Sequence, residues 1–401
     1  MKRKVVHMKK IALRVIVCVI IVVVIGLGIL AIMNRPISEE AVNEKIEKHL
    51  TKIVEKDDSL SSVLLTIQSS QTGYFEQFAV GMQNQLSDEP VQFDSQYHSA
   101  SIGKTMCAAI YGMLVDEGKI SYDDKISSWL DEDILKGLFV IDGIDYKDQV
   151  TLQQLLSHTS GVGDYFEGPV KSGKPLLEMI TFNPDISFTP EKLIAFTREN
   201  QDAVGLPGRQ FYYTDTGYIL LGLMLEAIEK KTYSNIIEER IFNPLDMNDS
   251  YLMFYNDEPV DIVGIYINGI DYSNRNALSV DWAGGGVVTT MNDLLTFMRA
   301  LEGGVLLSDE VYSQMTDFNQ RYEKGIYYGM GMMYFDFSEL SFLLGSMSDV
   351  YGAVGATGTY ALYDKEGDTF YIANFGSMDY AEKGIEELVK IRMIYDRIIV
   401  E

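Results

Sequence analysis

The chain has 401 residues, of which 47% are hydrophobic and 11% aromatic. A chain of this length and composition buries a large core, so an intrinsically disordered protein is excluded. Its 58 acidic and 33 basic residues give a formal net charge of -25. This charge repels nucleic-acid phosphates, and no nucleic-acid partner is expected.

The N-terminal segment joins a basic stretch to a long uncharged one. Lysine and arginine recur up to Arg14, and the run from Val15 to Met33 contains no charged residue. That run is long enough for a membrane-crossing helix, which predicts a cytoplasmic basic tail at 1–14 and a transmembrane helix at 15–33. By the positive-inside rule the chain after Arg35 is expected outside the cell, as part of a single-pass protein of the cell membrane. A cleaved signal peptide is the alternative, although no Ala-x-Ala pattern follows Met33.

Cysteine and histidine are scarce. Cys18 lies in the predicted membrane span and Cys107 beyond it, so no disulfide can form within the exported part. Only His98 and His158 lie well inside the rest of the chain, and no Cys or His cluster has the spacing of a metal site. We therefore expect no zinc ion and no other cofactor.

The exported part is predicted to begin with a linker helix at 34–59 and to continue as one domain at 60–401. In the linker, apolar residues three or four positions apart indicate one face of a helix; they are Val42, Ile46, Leu50 and Ile53. Ser38 can cap the start of this helix.

Strand-like runs lie near both ends of the domain, and helical patterns lie between them. The first runs, at 62–68 and 74–80, predict a hairpin, and later strands are predicted at 359–363 and 369–374. Apolar residues at helical spacing predict helices at 105–117, 151–156, 190–199, 216–228, 292–301 and 380–395. This order predicts a sheet built from both termini, with an inserted helical lobe.

The segment from His98 to Lys104 reads His-Ser-Ala-Ser-Ile-Gly-Lys and precedes the predicted helix at 105–117. If that helix starts near Ser101, then Ser101 and Lys104 lie on one face, one turn apart. A serine hydroxyl is a poor nucleophile unless a neighbouring base takes its proton, and a desolvated lysine can be that base. A chain of this length holds roughly one or two Ser-x-x-Lys matches by chance, so an ordinary helix start is the alternative.

A second candidate is Tyr213, in the segment Tyr212-Tyr213-Thr214-Asp215 before the predicted helix at 216–228. A tyrosine phenol beside a lysine ammonium can titrate at a lower pH than usual and relay a proton between nucleophile and leaving group. The alternative is a half-buried aromatic residue before a helix that Thr214 or Asp215 caps.

The two motifs, in this order, resemble those of the serine β-lactamases, the penicillin-binding D-alanyl-D-alanine carboxypeptidases and related esterases, in the class C-like branch of that family. Three further segments are similar to segments of the same family, at 151–161, 243–250 and 283–290. The resemblance extends over about residues 60–375. It implies a β-lactamase/transpeptidase-like α/β (α+β) fold, with an antiparallel sheet flanked by helices. By the same resemblance Ser101 is the nucleophile, Lys104 its proton acceptor and Tyr213 the partner acid/base.

The sequence departs from the family pattern at two places. Asp215 stands where the family usually has asparagine, and a carboxylate there would stabilise the lysine ammonium and weaken Lys104 as a base unless it points away. In the third family motif, Ala353 and Val354 replace a cationic and a hydroxyl residue, while Gly355 is kept. A shifted frame, Ala356-Thr357-Gly358, recovers threonine and glycine but no cation.

Backbone donors do not depend on these side chains. The resemblance implies an oxyanion hole made of the N–H groups of Ser101 and Ala356, the residue after Gly355. Acylation of substrates that lack a free carboxylate is therefore expected to persist. His158 is expected to be part of a structural turn and not of a Ser-His-Asp triad, and His98 is expected to pack beside a strand.

The sequence thus predicts a membrane-anchored serine acyl hydrolase outside the cell. Its substrates are expected to be small-molecule esters, or peptides that contain D-amino acids, from the cell envelope. The alternative is a non-catalytic or penicillin-binding descendant that acts as an envelope binding or interaction protein, which the changes at Ala353, Val354 and Asp215 favour.

Overall fold

The computed structural model of the protein describes residues 35–255 and 261–399. The predicted basic tail at 1–14 and the predicted transmembrane helix at 15–33 lie outside the described residues. Within the described ranges, no helix is long and apolar enough to cross a membrane.

The described strands follow the chain in this order: β1 (Ser62–Ser69), β2 (Phe75–Gly81), β3 (Tyr97–His98), β4 (Val140–Ile141), β5 (Ile144–Asp145), β6 (Tyr251–Leu252), β7 (Tyr266–Ile267), β8 (Ile270–Asp271), β9 (Val287–Thr289), β10 (Gln320–Glu323), β11 (Ile326–Tyr328), β12 (Met333–Phe335), β13 (Val350–Gly355), β14 (Thr359–Asp364) and β15 (Thr369–Asn374).

The described α-helices are α1 (Glu39–Lys56), α2 (Gly103–Asp116), α3 (Glu132–Leu135), α4 (Leu152–Leu156), α5 (Leu176–Phe182), α6 (Pro190–Asn200), α7 (Asp215–Glu229), α8 (Tyr233–Ile237), α9 (Trp282–Gly285), α10 (Met291–Glu302), α11 (Asp309–Met315), α12 (Phe337–Leu340) and α13 (Tyr380–Tyr395).

The described residues divide into two compact units. The first consists of residues 35–49 and 388–399. Its two segments are joined where Ile37 and Ile398 form a parallel bridge and the Ile37 N–H donates to Arg397 O at 2.8 Å. The second unit consists of residues 50–387, apart from 256–260. The predicted division into a linker at 34–59 and a domain at 60–401 stays a prediction.

The second unit contains an eight-stranded sheet with the order β10-β11-β12-β13-β14-β15-β1-β2. All neighbouring strands in it are antiparallel. β1 and β2 come from the N-terminal part of the unit and the other six from the C-terminal part, so the two parts meet where β1 pairs with β15. The prediction of an antiparallel sheet with helices is confirmed.

The central strands are buried on both faces. All six residues of β15 are buried, and so are seven of the eight in β1. Strands covered on both sides need apolar residues at consecutive positions, which is why their sequences lack an apolar/polar alternation. The third-motif positions Ala353, Val354 and Gly355 lie in β13, which pairs with β12 and β14 inside this sheet.

Two helices carry the candidate site, and both lie in the core. In α2 every residue from Gly103 to Gly112 is buried, and in α7 every residue from Thr216 to Gly222 is buried. A helix that is apolar on all sides is stable only inside the protein. α2 packs against α7, α9 and α11, which fixes the start of each helix relative to the others.

The structure also contains strands that the sequence patterns did not predict. β10, β11 and β12 have four, three and three residues, too few for a periodic pattern to identify them. They extend the sheet beyond β13 and place Tyr328, at the end of β11, near the candidate site.

We predict that Gly161→Ala destabilises the protein much more than Gly73→Ala. Both glycines have left-handed φ angles, +82° and +74°, so alanine is strained at either position by roughly 1–2 kcal/mol. A Cβ on Gly161 would also lie 2.0 Å from Gly205 O, whereas a Cβ on Gly73 meets nothing within 4 Å. Urea unfolding should therefore give a further loss of about 1–3 kcal/mol for Gly161→Ala. Equal losses for both variants would contradict this prediction.

Candidate active site

The candidate nucleophile lies in a short turn between β3 and α2. The Ser99 N–H donates to Val287 O at 2.8 Å, and Ala100 then adopts a left-handed φ of 50°. Ser101 follows in a single 3-10 turn, Ala100–Ile102, and is partly exposed. A non-glycine residue with positive φ is unfavourable and persists where the surroundings hold it. Here β3 and α2 fix both ends of the turn.

Two glycines allow other backbone segments to lie against this turn. A Cβ on Gly285 would lie 2.7 Å from Ala100 O, and a Cβ on Gly355 would lie 2.8 Å from Ser99 O and 3.4 Å from Ser101 N. Any side chain at Gly285 would therefore push the turn away, and one at Gly355 would press on it. The close approach brings the end of β13 next to the Ser101 N–H.

Lys104 contacts Ser101 from the first turn of α2. Its Nζ donates to Ser101 Oγ at 3.0 Å, to Asp215 Oδ1 at 2.5 Å and to Gly284 O at 2.8 Å. The side chain is only 2% exposed. An ammonium has three donors, so the protonated form is fully paired. A neutral amine at the same position can accept the hydroxyl proton of Ser101.

Tyr213 lies on the other side of Ser101, in the extended segment before α7. Its side chain is hydrogen-bonded to that of Ser101, and the Lys104 Nζ lies 5.2 Å from the centre of its ring. Burial, and next the charge of Asp215, raise the pKa of Tyr213 well above its ordinary value. The expectation of a lower pKa is therefore wrong, because both effects oppose ionisation of the phenol. The phenol of Tyr213 is therefore neutral in this structure.

Asp215 does not point away from the site. It begins α7, and its backbone N–H donates to Asp164 Oδ1 at 2.9 Å while its own carboxylate accepts from Lys104. The other oxygen of Asp164 accepts the N–H groups of Glu167 and Gly168 at 2.9 and 3.2 Å. The buried carboxyl group of Asp164 thus holds the start of α7 in place.

Two more carboxyl groups near Asp215 hold protons at unusually high pH. Burial, with a smaller contribution from the charge of Asp215, raises the pKa of Asp164 to about 7. The same two causes raise the pKa of Asp281 to about 7, against the opposing effect of Lys104. Asp281 precedes α9, whose Gly284 carbonyl accepts from Lys104. Sequence reasoning missed Asp164 and Asp281, since no local pattern distinguishes them from other aspartates.

The third-motif positions lie at the end of β13. Ala353 is 2% exposed, Val354 is half-buried, and neither side chain can donate a hydrogen bond. Ala356 follows the end of the strand and is exposed. The structure thus joins Ser101, Lys104, Tyr213 and Asp215 by direct contacts and sets Gly355 against the nucleophile turn.

His158 is occupied by partners other than Ser101. Its Nδ1 accepts the Thr214 N–H at 3.2 Å, so Nε2 carries the ring proton and faces Tyr328 Oη at 3.1 Å. Burial lowers the pKa of His158 well below its ordinary value, which keeps the ring neutral. The ring lies 4.2 Å from that of Tyr213, centre to centre. His158 therefore supports Tyr213 by packing, and Tyr328 is a further partner that sequence reasoning did not identify.

Comparison with known proteins identifies the family. The sequence model of the Beta-lactamase family matches residues 46–387. The chain belongs to the β-lactamase family. Among curated relatives, penicillin-binding protein 4* of Bacillus subtilis (strain 168) is 27% identical over 209 residues, which are 51% of this chain and 41% of that protein. The chain thus matches less than half the length of this β-lactamase-family relative.

Solved structures share the β-lactamase-family fold. The D-amino acid amidase from Ochrobactrum anthropi SV3, complexed with D-phenylalanine, has a TM-score of 0.72 at 20% identity, covering 88% of this chain and 99% of that one. A D-stereospecific amidohydrolase from Streptomyces sp. has a TM-score of 0.68 at 24% identity, covering 85% and 96%. At these identities the likeness establishes the fold alone.

We predict that Asp164→Asn flattens the pH dependence of stability of this β-lactamase-family protein. Because the pKa of Asp164 is raised to about 7 from 3.8, the folded state binds more protons than the unfolded state between these values. The contribution of Asp164 to the free energy of unfolding should therefore fall as pH rises from about 4 to about 7. Asparagine keeps an acceptor for the Asp215 N–H but cannot titrate.

Urea unfolding at several pH values measures this slope. The exposed Asp88→Asn variant removes one carboxylate at a distance and serves as the control. A slope that is the same in Asp164→Asn and in the parent protein would contradict the prediction.

Proposed function

We propose that the protein is a serine acyl hydrolase that forms an acyl-enzyme on Ser101. The observation that carries the proposal is that the Nζ of buried Lys104 lies 3.0 Å from Ser101 Oγ. The side chain of Tyr213 is hydrogen-bonded to the same hydroxyl. A nucleophile and a base within hydrogen-bond reach, with the base oriented by a third group, are the parts that acyl transfer needs. Asp215 and Gly284 O orient the base here.

The proton path follows from these contacts. Neutral Lys104 takes the Ser101 proton as Oγ attacks the substrate carbonyl, and the N–H groups of Ser101 and Ala356 stabilise the oxyanion. When the tetrahedral intermediate collapses, Tyr213 gives its phenolic proton to the leaving group, and the Lys104 ammonium returns a proton to Tyr213. Water then attacks the acyl carbon and gives a proton to Tyr213 while Tyr213 gives its own to neutral Lys104, and the Lys104 ammonium returns a proton to Ser101 Oγ as the acid product leaves. The raised pKa of Tyr213 keeps the phenol protonated until the leaving group takes its proton.

The substrates we propose are esters, or peptides and amides of D-amino acids, from the cell envelope. Ala353 and Val354 provide no side-chain donor for a substrate carboxylate, which disfavours penicillins and peptides with a free C-terminal carboxylate. The backbone parts of the motif remain beside Ser101. The fold shared with the D-amino acid amidase from Ochrobactrum anthropi SV3 supports amides of D-amino acids as substrates.

A second candidate function is binding without turnover, as a penicillin-binding or interaction protein of the envelope. The observation that favours it is the 2.5 Å contact between Asp215 and Lys104, since a carboxylate stabilises the ammonium and so opposes the neutral base. The same experiment distinguishes the two functions.

We predict that the full-length protein in detergent hydrolyses a nitrophenyl ester and that Ser101→Ala abolishes this turnover. Tyr213→Phe should lower kcat by about 10²–10⁴-fold, because the leaving group loses its proton donor while Ser101 and Lys104 remain. Stopped assays by absorbance measure turnover, and a fluorescent penicillin applied in parallel measures covalent labelling of Ser101.

The possible results separate the candidates. Turnover that Ser101→Ala removes supports the hydrolase. Ser101-dependent labelling without turnover supports the penicillin-binding alternative. Neither turnover nor labelling, across acetyl, propionyl and D-alanyl groups, overturns catalysis by this site.

We also propose that residues 15–33 anchor the protein in the cell membrane with the catalytic part outside. The support is the uncharged run of apolar residues after the basic residues that end at Arg14. The chain should sediment with membranes, and protease added to intact cells stripped of their wall should digest it. Deletion of residues 1–33 should leave the protein inside the cell, and full-length protein that resists the protease would contradict this topology.

A further inference from the structure

A cavity of about 250 Å³ lies between two parts of the chain that are distant in sequence. One wall comes from residues within 153–159 together with Gly208, and the other comes from residues within 314–330. Among the described residues, the lining includes neither Ser101 nor Tyr213, so the cavity is not formed by the proposed catalytic residues. Because a water molecule takes up about 30 Å³ of the liquid, the cavity has room for about eight waters or for one small polar molecule.

The lining of this cavity is polar but almost uncharged. Five carboxamide groups line it, from Gln153, Gln154, Gln314, Asn319 and Gln320. In the described part of the chain, Asp317 is the one charged residue of the lining and Met330 the one hydrophobic side chain. A phosphate or carboxylate would therefore meet no cation, and an apolar group would bury little surface against the protein. The lining favours a neutral ligand with many hydrogen-bonding groups.

Two buried hydroxyl groups, those of Ser157 and Thr159, have their protons placed by their hydrogen bonds. The Ser157 hydroxyl donates to Gln153 O at 2.7 Å, and the two hydroxyl oxygens lie 3.0 Å apart. Because the single proton of Ser157 is used on the carbonyl, Thr159 must donate to Ser157 Oγ. Thr159 Oγ1 then has no proton left to donate, but it can still accept. Thr159 lines the cavity and is 7% exposed, so it offers a ligand a buried acceptor.

Three side chains on the other wall form a hydrogen-bonded chain that orients their amides. Asn319 Nδ2 donates to Asp317 Oδ2 at 2.8 Å, and Gln320 Nε2 donates to Asn319 Oδ1 at 2.6 Å. A carboxylate only accepts, so the NH2 group of Asn319 must be turned toward Asp317 and its oxygen toward Gln320. Gln320 Oε1 has no hydrogen-bond partner within the described ranges, and it is therefore a second acceptor for a ligand.

Gln154 supplies the matching donor. Its Oε1 accepts the Thr151 N–H at 3.0 Å, and its Nε2 has no hydrogen-bond partner among the residues that the structure describes. A Cβ on Gly208 would lie 2.9 Å from this nitrogen, so a side chain at that position would cover it. Gly208 has a φ of +74°, a conformation that favours glycine. The bare backbone therefore leaves the donor accessible from the cavity.

We propose that this cavity is a binding site for a neutral sugar. A sugar hydroxyl donates and accepts at one atom, so neighbouring hydroxyls on a ring can donate to Thr159 Oγ1 and Gln320 Oε1 and accept from Gln154 Nε2. The paired amides are held in one orientation before the ligand arrives, which reduces the entropy lost on binding. The proposal concerns a second site and does not depend on acyl chemistry at Ser101.

Isothermal titration calorimetry tests the proposal with the full-length protein, in a detergent whose headgroup is not a sugar. N-acetyl-D-glucosamine is the neutral sugar, D-glucuronate adds a negative charge, and N-acetyl-D-alaninamide offers amides without hydroxyls. We expect N-acetyl-D-glucosamine to bind with a Kd on the order of 1 mM, because a small ligand makes few hydrogen bonds. It should bind at least about 10-fold more tightly than either of the other two ligands.

Gln320→Ala and Thr159→Val each remove one acceptor, and each should raise the Kd of N-acetyl-D-glucosamine by about 5-fold or more. Gln92→Ala truncates an exposed amide outside the lining and should leave that Kd unchanged. No saturable binding up to about 50 mM, an equal Kd in the parent and Gln320→Ala proteins, or tighter binding of glucuronate or of the alaninamide would each overturn the proposal. If Thr159→Val fails to fold, the Gln320→Ala variant and the comparison of the three ligands still decide.

Discussion

The buried ammonium of Lys104 is the constraint on which the arrangement of the site depends. A charge taken out of water must be matched by acceptors, and removing one partner of a buried pair typically costs about 3–5 kcal/mol. Lys104 obtains its acceptors from three separate places in the chain: Ser101 before α2, Asp215 at the start of α7, and Gly284 in α9. The packing of these helices therefore both stabilises the buried ammonium and positions Lys104 beside the nucleophile Ser101.

The carboxyl groups around Lys104 limit their mutual repulsion by retaining protons. Only Asp215 contacts the ammonium directly, whereas Asp164 and Asp281 have pKa values raised to about 7. Because Asp164 and Asp281 can be neutral, no second cation is needed beside Lys104 to balance their charge. The consequence is that the charge of the site changes near neutral pH, where a small electrostatic influence from a ligand is enough to alter protonation.

Local sequence predicted the parts of the site that lie close together along the chain. Ser101 and Lys104 are one helical turn apart, and Tyr213 and Asp215 share one segment, so motif spacing was enough to single them out. His158 and Tyr328 are 170 residues apart and meet only through the fold. The short strands β10 to β12 left no periodic signal, and β11 carries Tyr328. The fold came from long apolar runs and the family resemblance, and the supporting contacts depended on tertiary structure.

In the third motif, at 353–355, the backbone contribution is kept while the side-chain contribution is lost. Gly355 has no side chain, and its close approach to Ser99 O and Ser101 N is the part of β13 that an oxyanion hole uses. The side chains that would bind a carboxylate are absent at Ala353 and Val354. In addition, Asp215 places a carboxylate in direct contact with Lys104. Both changes act in one direction, because loss of a cation and gain of a carboxylate each disfavour an anionic substrate.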